Sequence, residues 1–386
     1  MNTTIYTKTL NYINKYIEQA NKEYELNGRS EAFVKIEDEI INIDKFYRGD
    51  AIYLFSRYVK GVNVKKMEDM FEKYHSLLSV YDFAKYVPNA DIDRMSRLTA
   101  KMGFASSIYK FAKDIKGANI SVLENGLIEN RDTSKAQILY FFARDIEGCN
   151  VSKLQDELIK TKNELYMYLF ARDIKGADIK KIEREIVKLN DLECIHLFAK
   201  EVQGADVDML EKTVAISGNG SRVCLFAKEI KGANIDWLQD VIILYGHASY
   251  IYEFAKNIKG ANISKLEDAI INTRVSKNIY NFAKDIKGAN IRKLEDAIIE
   301  LNDIEYMCLF ARNVLNADIK KFEQAIVNSG DEMAIVQFGK NFEDGYIQKM
   351  IQQNRQREKE KLLKEEDQLT IFDDKVNTDN NFSLQM

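Results

Sequence analysis

The chain reads as an all-α protein, an α-solenoid of about eleven 28-residue helix–turn–helix repeats with terminal caps, and three observations predict it. The first is self-similarity. FAKDIKGANIRKLEDAII at 282–299 repeats FAKNIKGANISKLEDAII at 254–271. The same phrase, more loosely kept, recurs on Phe55, Phe83, Phe111, Phe142, Phe170, Phe198, Phe226, Phe254, Phe282, Phe310 and Phe338, 28 residues apart except for a step of 31 after Phe111. A short fixed period over most of a chain marks stacked repeats. The second observation is a single proline, Pro88, in 386 residues, as an almost wholly helical chain requires. The third is the spacing of apolar residues inside each copy, which follows one helix face and then another.

In the copy on Phe282, Ile279, Phe282, Ala283 and Ile286 stand at i, i+3, i+4 and i+7, the face of a first helix. Gly288 is placed to end that helix in a left-handed conformation, which glycine adopts without steric penalty. Two residues on, Asn290 is placed to cap a second helix, whose buried stripe is Ile291, Leu294 and Ile298. Each repeat is therefore a short hairpin with a three-residue turn. The small residue after the phenylalanine, alanine in nine copies, lets neighbouring helices approach closely. Neither helix can bury its stripe alone, so the copies must stack.

In chain order, residues 1–50 form a divergent N-terminal helical cap, in which KIEDEII at 35–41 is like a second helix. Residues 51–351 are the repeat solenoid, its three extra residues falling near ENRDTSK at 129–135, in a loop between hairpins. The last copy, lacking its glycine, is the C-terminal cap. Residues 352–367 are a charged helix or linker, and 368–386 a disordered tail that carries an apolar peptide.

A net charge of −4, from 56 basic and 60 acidic residues, argues against general attachment to nucleic acid or to a membrane surface. The N-terminus lacks a signal-peptide core, and no apolar run is long enough for a membrane span. Cys149, Cys194, Cys224 and Cys308 have neither paired nor metal-type spacing; they read as buried free thiols of a cytoplasmic protein. His75, His196 and His247 are scattered, and SGNGS at 217–221 lacks the strand and the lysine of a phosphate loop. No catalytic, cofactor or metal constellation is expected, and the chain reads as non-enzymatic.

Two surfaces are candidates for binding. A basic residue stands two places after every repeat phenylalanine, among them Lys200, Lys228, Lys256 and Lys284, and tyrosine recurs four places before it. Cations beside aromatic rings suit a single-stranded nucleic-acid track. The competing reading pairs each cation with an acid of its own or the next repeat, such as the Glu or Gln at 68, 124, 155, 183 and onward, and packs the tyrosine rings. Met209 and Trp237, one repeat apart, fill a position on the exposed side of the second helix that lysine usually holds, and are candidates for a protein-binding patch.

In the tail, QLTIF at 368–372, followed by Asp373 and Asp374, resembles the short peptide by which bacterial polymerases and repair proteins dock on the DNA sliding clamp. The resemblance implies that Gln368 makes the polar anchor contacts and that Leu369, Ile371 and Phe372 enter an apolar groove; Ile371 departs from the usual leucine. A fold-back of this segment onto the last repeat is the alternative. The repeats resemble the broad class of HEAT-like and tetratricopeptide-like solenoids, with a shorter unit, and by analogy such solenoids bind proteins. The expectation is a bacterial or phage scaffold or adaptor that holds a protein partner on its repeat surface and offers its tail to the clamp. A single-stranded nucleic-acid binder is the second reading.

Overall fold

A computed structural model describes residues 3–45, 47–74, 77–341 and 356 of the chain. Among these residues there are twenty-three helices, α1 to α23 in chain order, and no strand. The fold is all-α and built of repeated hairpins. None of these helices is long and apolar enough to cross a membrane. The helices group into two compact units, Met1–Asp206 and Val207–Met386.

Within each unit the hairpins stack in two layers, first helices on first helices and second helices on second helices. In the second unit α17 (Ala248–Asn257), α19 (Ser276–Asp285) and α21 (Ile304–Asn313) form one layer, while α16 (Ile235–Tyr245), α18 (Ile263–Asn272) and α20 (Ile291–Leu301) form the other. The ten repeat phenylalanines from Phe55 to Phe310 and Phe338 are all fully buried between the layers, with Leu266, Ile270, Leu294 and Ile298 facing them from the second helices. Burying one such side chain contributes about 1.5–3 kcal/mol, so this column dominates the stability of the stack.

The turn inside each hairpin differs from the sequence expectation. The first helix ends two residues earlier than predicted: α19 stops at Asp285, and Ile286 is already extended, its N–H donating to the Phe282 carbonyl. Gly288, at φ +89, is then the third residue of a tight turn closed by the Ala289 N–H on the Ile286 carbonyl, 3.3 Å away. Asn89 and Asn316 take the same left-handed place in two repeats without glycine. The cap expectation holds: the side chain of Asn290 accepts from the Lys293 N–H, as those of Asp91, Asn119, Asn150, Asp178, Asn234, Asn262 and Asp318 do from theirs.

A buried carboxylate ladder joins the repeats, and here a sequence assignment is corrected. The recurrent Glu or Gln of the second helix serves the backbone, and the cations within reach of it, Lys293 on Glu267 at 3.6 Å among them, belong to second helices. The Glu or Gln is buried, and it accepts the backbone N–H of the next repeat's cap residue: Glu68 from Asp91 (2.6 Å), Glu183 from Asp206 (2.6 Å), Glu211 from Asn234 (2.7 Å) and Glu295 from Asp318 (2.7 Å). Gln155, Gln239 and Ser96 do the same. The reason is local. A cap residue's side chain turns inward to its own helix, which leaves its backbone N–H buried without a partner unless the preceding repeat supplies an acceptor.

The N-terminal segment is more repeat-like than its sequence. Helices α1 (Thr3–Asn27) and α2 (Glu31–Ile41) form a hairpin in which Tyr24 packs on Phe33, and Glu37 accepts the Asn63 N–H at 2.8 Å, as the first rung of the ladder. The inserted residues lie in a loop between α8 (Ile120–Glu129) and α9 (Lys135–Asp145), tied down by Asn130 donating to the Gly103 carbonyl at 2.9 Å. Residues 342–355 and 357–386, which include most of the last copy's second half, nearly all of the linker and the QLTIF peptide, lie outside the described residues.

Candidate partner-binding surface

The two candidate sets fall on different layers. Lys228 lies on α15 (Gly220–Glu229), Lys256 on α17 and Lys284 on α19, all first helices, while Met209 lies on α14 (Val207–Ile216) and Trp237 on α16, both second helices. Lys200 is exposed on α13 (Leu192–Glu201), in the first unit. Gln368, Leu369, Ile371 and Phe372 lie outside the described residues.

On the first helices the tyrosines and cations are engaged with one another and with the acid that follows the cation of the next repeat. Tyr81 donates to Asp114 and Tyr140 to Asp173, each at 2.6 Å, and Tyr109, Tyr168 and Tyr252 donate in the same way to Asp145, Glu201 and Asp285. The cation four residues on joins the same acid: Lys113 to Asp145 at 3.0 Å, Arg172 to Glu201 at 3.2 Å and Lys256 to Asp285 at 2.8 Å. The cations also lie over the tyrosine rings, Lys256 at 5.1 Å from the Tyr252 centroid and Lys284 at 5.7 Å from that of Tyr280. Charge follows geometry. Arg144, then Tyr109 and Lys113, hold the Asp145 carboxyl well below the usual carboxylate range, and Lys256 with Tyr252 does so for Asp285. Where the tyrosine gives way to Cys224, the next repeat's acid gives way to Asn257, and Lys228 stands exposed between them.

On the second helices a further row links consecutive repeats. The residue after the buried Glu is an acid, and the third residue of the next second helix is a base: Asp38 with Lys66 at 2.7 Å, Asp69 with Arg94 at 2.6 Å and Asp156 with Lys181 at 2.6 Å. Asp240 with Lys265, Asp268 with Lys293 and Asp296 with Lys321 continue it. The row lapses at Asn125 and Lys153, where only the acid is lost, and at three other steps, where both partners change together. Arg97, Arg184 and Lys212 take the acid's place, and Val122, Met209 and Trp237 take the base's place. Arg97 and Lys212 pair instead with acids in their own helices, Asp93 and Asp208.

Met209 and Trp237 are half-buried, not exposed as the sequence pattern suggested. The exposed apolar surface is one face further along. Ile216 and Leu244, seven residues after Met209 and Trp237, are 80% and 81% exposed, at a position held by Lys, Glu or Asn in the other repeats from Phe55 to Phe310. Residues i and i+7 share a helix face, so α14 carries Met209 and Ile216, and α16 carries Trp237, Val241 and Leu244, as two adjacent stripes. Helix α16 is anchored on α14 at both ends, by the Glu211–Asn234 rung and by the Tyr245 hydroxyl donating to the Ala215 carbonyl at 2.7 Å. The sequence reading missed Val122, Ile216 and Leu244; aligning every residue of the second helix by repeat position, rather than the lysine position alone, finds them.

Cys194 and Cys224 are buried and Cys149 and Cys308 are half-buried, so burial is less complete than expected for the latter two. Burial pushes the Cys194 and Cys224 thiols up to about 12, which leaves them protonated and unreactive. Among the described residues no three His, Cys, Asp or Glu side chains are grouped to hold a metal ion. Compared with known proteins, the chain matches no family model and no curated sequence.

Proposed function

We propose that the chain is a non-enzymatic binding scaffold that docks a protein partner on the apolar stripes of α14 and α16. One observation carries this reading: in two successive repeats the base of the second-helix row and the exposed residue two turns further on are replaced by Met209 and Ile216 and by Trp237 and Leu244. Apolar residues held at 80% exposure do nothing for the fold of the stack. Aromatic and methionine side chains grouped on a surface are what protein interfaces enrich. The QLTIF peptide supports a second contact, with the DNA sliding clamp or a partner that has a similar apolar groove, in a cytoplasmic bacterial or phage setting.

The nucleic-acid reading draws less support. A track needs rings free to stack and cations free to meet phosphates, whereas the tyrosine hydroxyls and their cations are engaged in the cross-repeat network. Salt-dependent binding of a labelled oligonucleotide that is lost on replacing Lys228, Lys256 and Lys284 would favour it instead.

The test of the tail contact is titration of a purified bacterial sliding clamp with the full chain and with Leu369→Ala/Phe372→Ala. Saturable binding that the double variant loses by at least about tenfold, roughly 1.4 kcal/mol, is the expected result. Equal binding by both, or none by the intact chain, removes the tail from the proposal.

A further inference from the structure

We infer that the hairpin-turn edge of the second unit, from Lys256 to Lys321, binds the phosphate backbone of a nucleic-acid duplex. This goes beyond the protein contact on α14 and α16 and uses other residues. Consecutive turns lie side by side on this edge, because each second helix's cap residue donates its N–H to a side chain near the start of the preceding second helix: Asn262 to Gln239 at 2.7 Å, Asn290 to Glu267 at 2.6 Å and Asp318 to Glu295 at 2.7 Å. Three successive turns and the helix ends beside them, those of α17–α18, α19–α20 and α21–α22 (Ile319–Ser329), present Lys259, Lys284, Lys287, Arg292, Arg312 and Lys320. All six are exposed, and none is in an ion pair with a described residue. The neighbouring acids are engaged. Asp285 is held by Lys256 at 2.8 Å, Asp268 and Asp296 pair with Lys293 and Lys321, Glu267 and Glu295 are buried in the ladder, and Asp318 caps α22 by accepting the Lys321 N–H.

The charge belongs to these repeats and is not required by the fold. The residue after the first-helix cation is acidic in six repeats, yet Asn257 and Asn313 stand there in two of these three. The second residue of the second helix is Asp93, Asp208 or Asp236 in three other repeats, and Ser264, Arg292 and Lys320 here. The far ends of the same hairpins carry more of the other sign, with Glu300, Glu305, Asp331 and Glu332 exposed beside Arg274 and Lys277. A chain of net charge −4 thus has one strongly basic edge. Spacing and composition select the ligand. Turns one repeat apart are about 10 Å from one another, which matches three steps of a duplex at about 3.4 Å per phosphate on each strand. Three turns therefore follow the backbone over about six base pairs. Residues 256–263, 284–291 and 312–319 hold no aromatic ring on which unpaired bases could stack, as a single-strand track requires. Gly260, Ala261, Gly288 and Ala289 keep the turns low, so the longer lysine and arginine side chains reach the phosphates first. Contacts of this kind hold the backbone and read no sequence.

The experiment titrates a labelled mixed-sequence DNA duplex of about 20 base pairs with the full chain, by fluorescence anisotropy between about 50 and 200 mM salt. Two full-length variants carry equal changes of charge: Lys259→Glu/Lys287→Glu/Lys320→Glu on the edge, and Lys162→Glu/Arg274→Glu/Lys277→Glu at the far ends of hairpins. All six replaced side chains are exposed, and thermal unfolding checks that both variants fold. Six phosphate contacts predict a slope of log affinity on log salt of about −5 for the intact chain. The edge variant should bind at least about tenfold more weakly, with a slope of about −3, and the other variant within about threefold of the intact chain. No binding by the intact chain at the lowest salt, or an equal loss in both variants, overturns the proposal. Tighter binding of the same sequence as a single strand overturns it in favour of a single-strand site, and equal competition by polyglutamate overturns it in favour of an acidic protein. None of these results bears on the α14–α16 stripes, which include none of the replaced residues.

Discussion

The buried ladder makes its sharpest demand at Glu211. Its carboxylate is 2% exposed and accepts the Asn234 N–H. Burial raises its pKa, with the hydrogen bond from Asn234 opposing in part, and Glu68 and Glu183 behave alike. A carboxyl whose folded pKa lies above its unfolded value contributes stability that is full below about pH 4.5 and is lost as pH rises through the folded value. Glu211 therefore holds the hydrogen bond at a desolvation cost near neutral pH. Gln155 and Gln239 make the same bond without a charge. Glu211→Gln should accordingly leave stability at pH 7 equal or higher, and flatten its fall between about pH 4.5 and 7. Glu211→Ala strands the Asn234 N–H and should cost about 1–3 kcal/mol. Urea unfolding at pH 5 and pH 7 measures both, and a Gln variant as weak as the Ala variant contradicts the assigned role. The surface acids run in the opposite sense: Asp145, Asp173 and Asp285 have depressed pKa values, so their contribution is present above about pH 4 and fades as acid protonates them.

At the scale of the element, most of each hairpin was legible because helix periodicity, caps and buried stripes are properties of neighbours in sequence. Asn290 and its counterparts were placed as caps from spacing alone, and they cap. What was not legible depends on the adjacent repeat. Glu211 was assigned to the cations because its acceptor role is set by a backbone N–H twenty-three residues away, which no side-chain pattern displays. The helix end at Asp285 was misplaced because glycine ends a helix or turns a tight loop with the same positive φ. Packing between elements has its own local test at Gly126 of α8. A Cβ there would stand 2.6 Å from the Ala100 Cβ and 2.7 Å from its carbonyl oxygen on α6 (Ile92–Met102). Gly126→Ala gains helix propensity of about 1 kcal/mol, yet it forces two backbones apart, a cost of about 1–3 kcal/mol. Net destabilisation in thermal unfolding is the expected outcome; a more stable variant would mean that α6 and α8 are free to separate.

Across the whole molecule, stability and the proposed recognition are written on different residues of the same repeat. The phenylalanine column and the buried ladder hold neighbours together, and each exposed pair of the outer row adds only about 0–1 kcal/mol. The outer row can therefore be rewritten without loss of the fold, as it is at Lys212 and Trp237. Met209 and Trp237 were legible as a departure from a repeated lysine, whereas their half-burial and the exposure of Ile216 and Leu244 emerged only from the packing of α14 and α16. On the proposed function, this departure serves binding. Restoring the row tests it, with Lys212→Asp, Trp237→Lys, Ile216→Lys and Leu244→Asn combined in one full-length variant. Each substitution installs a residue type that other repeats carry at that position, so thermal unfolding should be unchanged within about 1 kcal/mol. The decisive measurement is affinity capture with the intact and the restored chain as bait, followed by titration of the captured protein in purified form. A partner held by the intact chain and bound at least about tenfold more weakly by the equally stable variant is the predicted result. A partner held equally by both would contradict it, and would return Met209 and Trp237 to the packing of the stack.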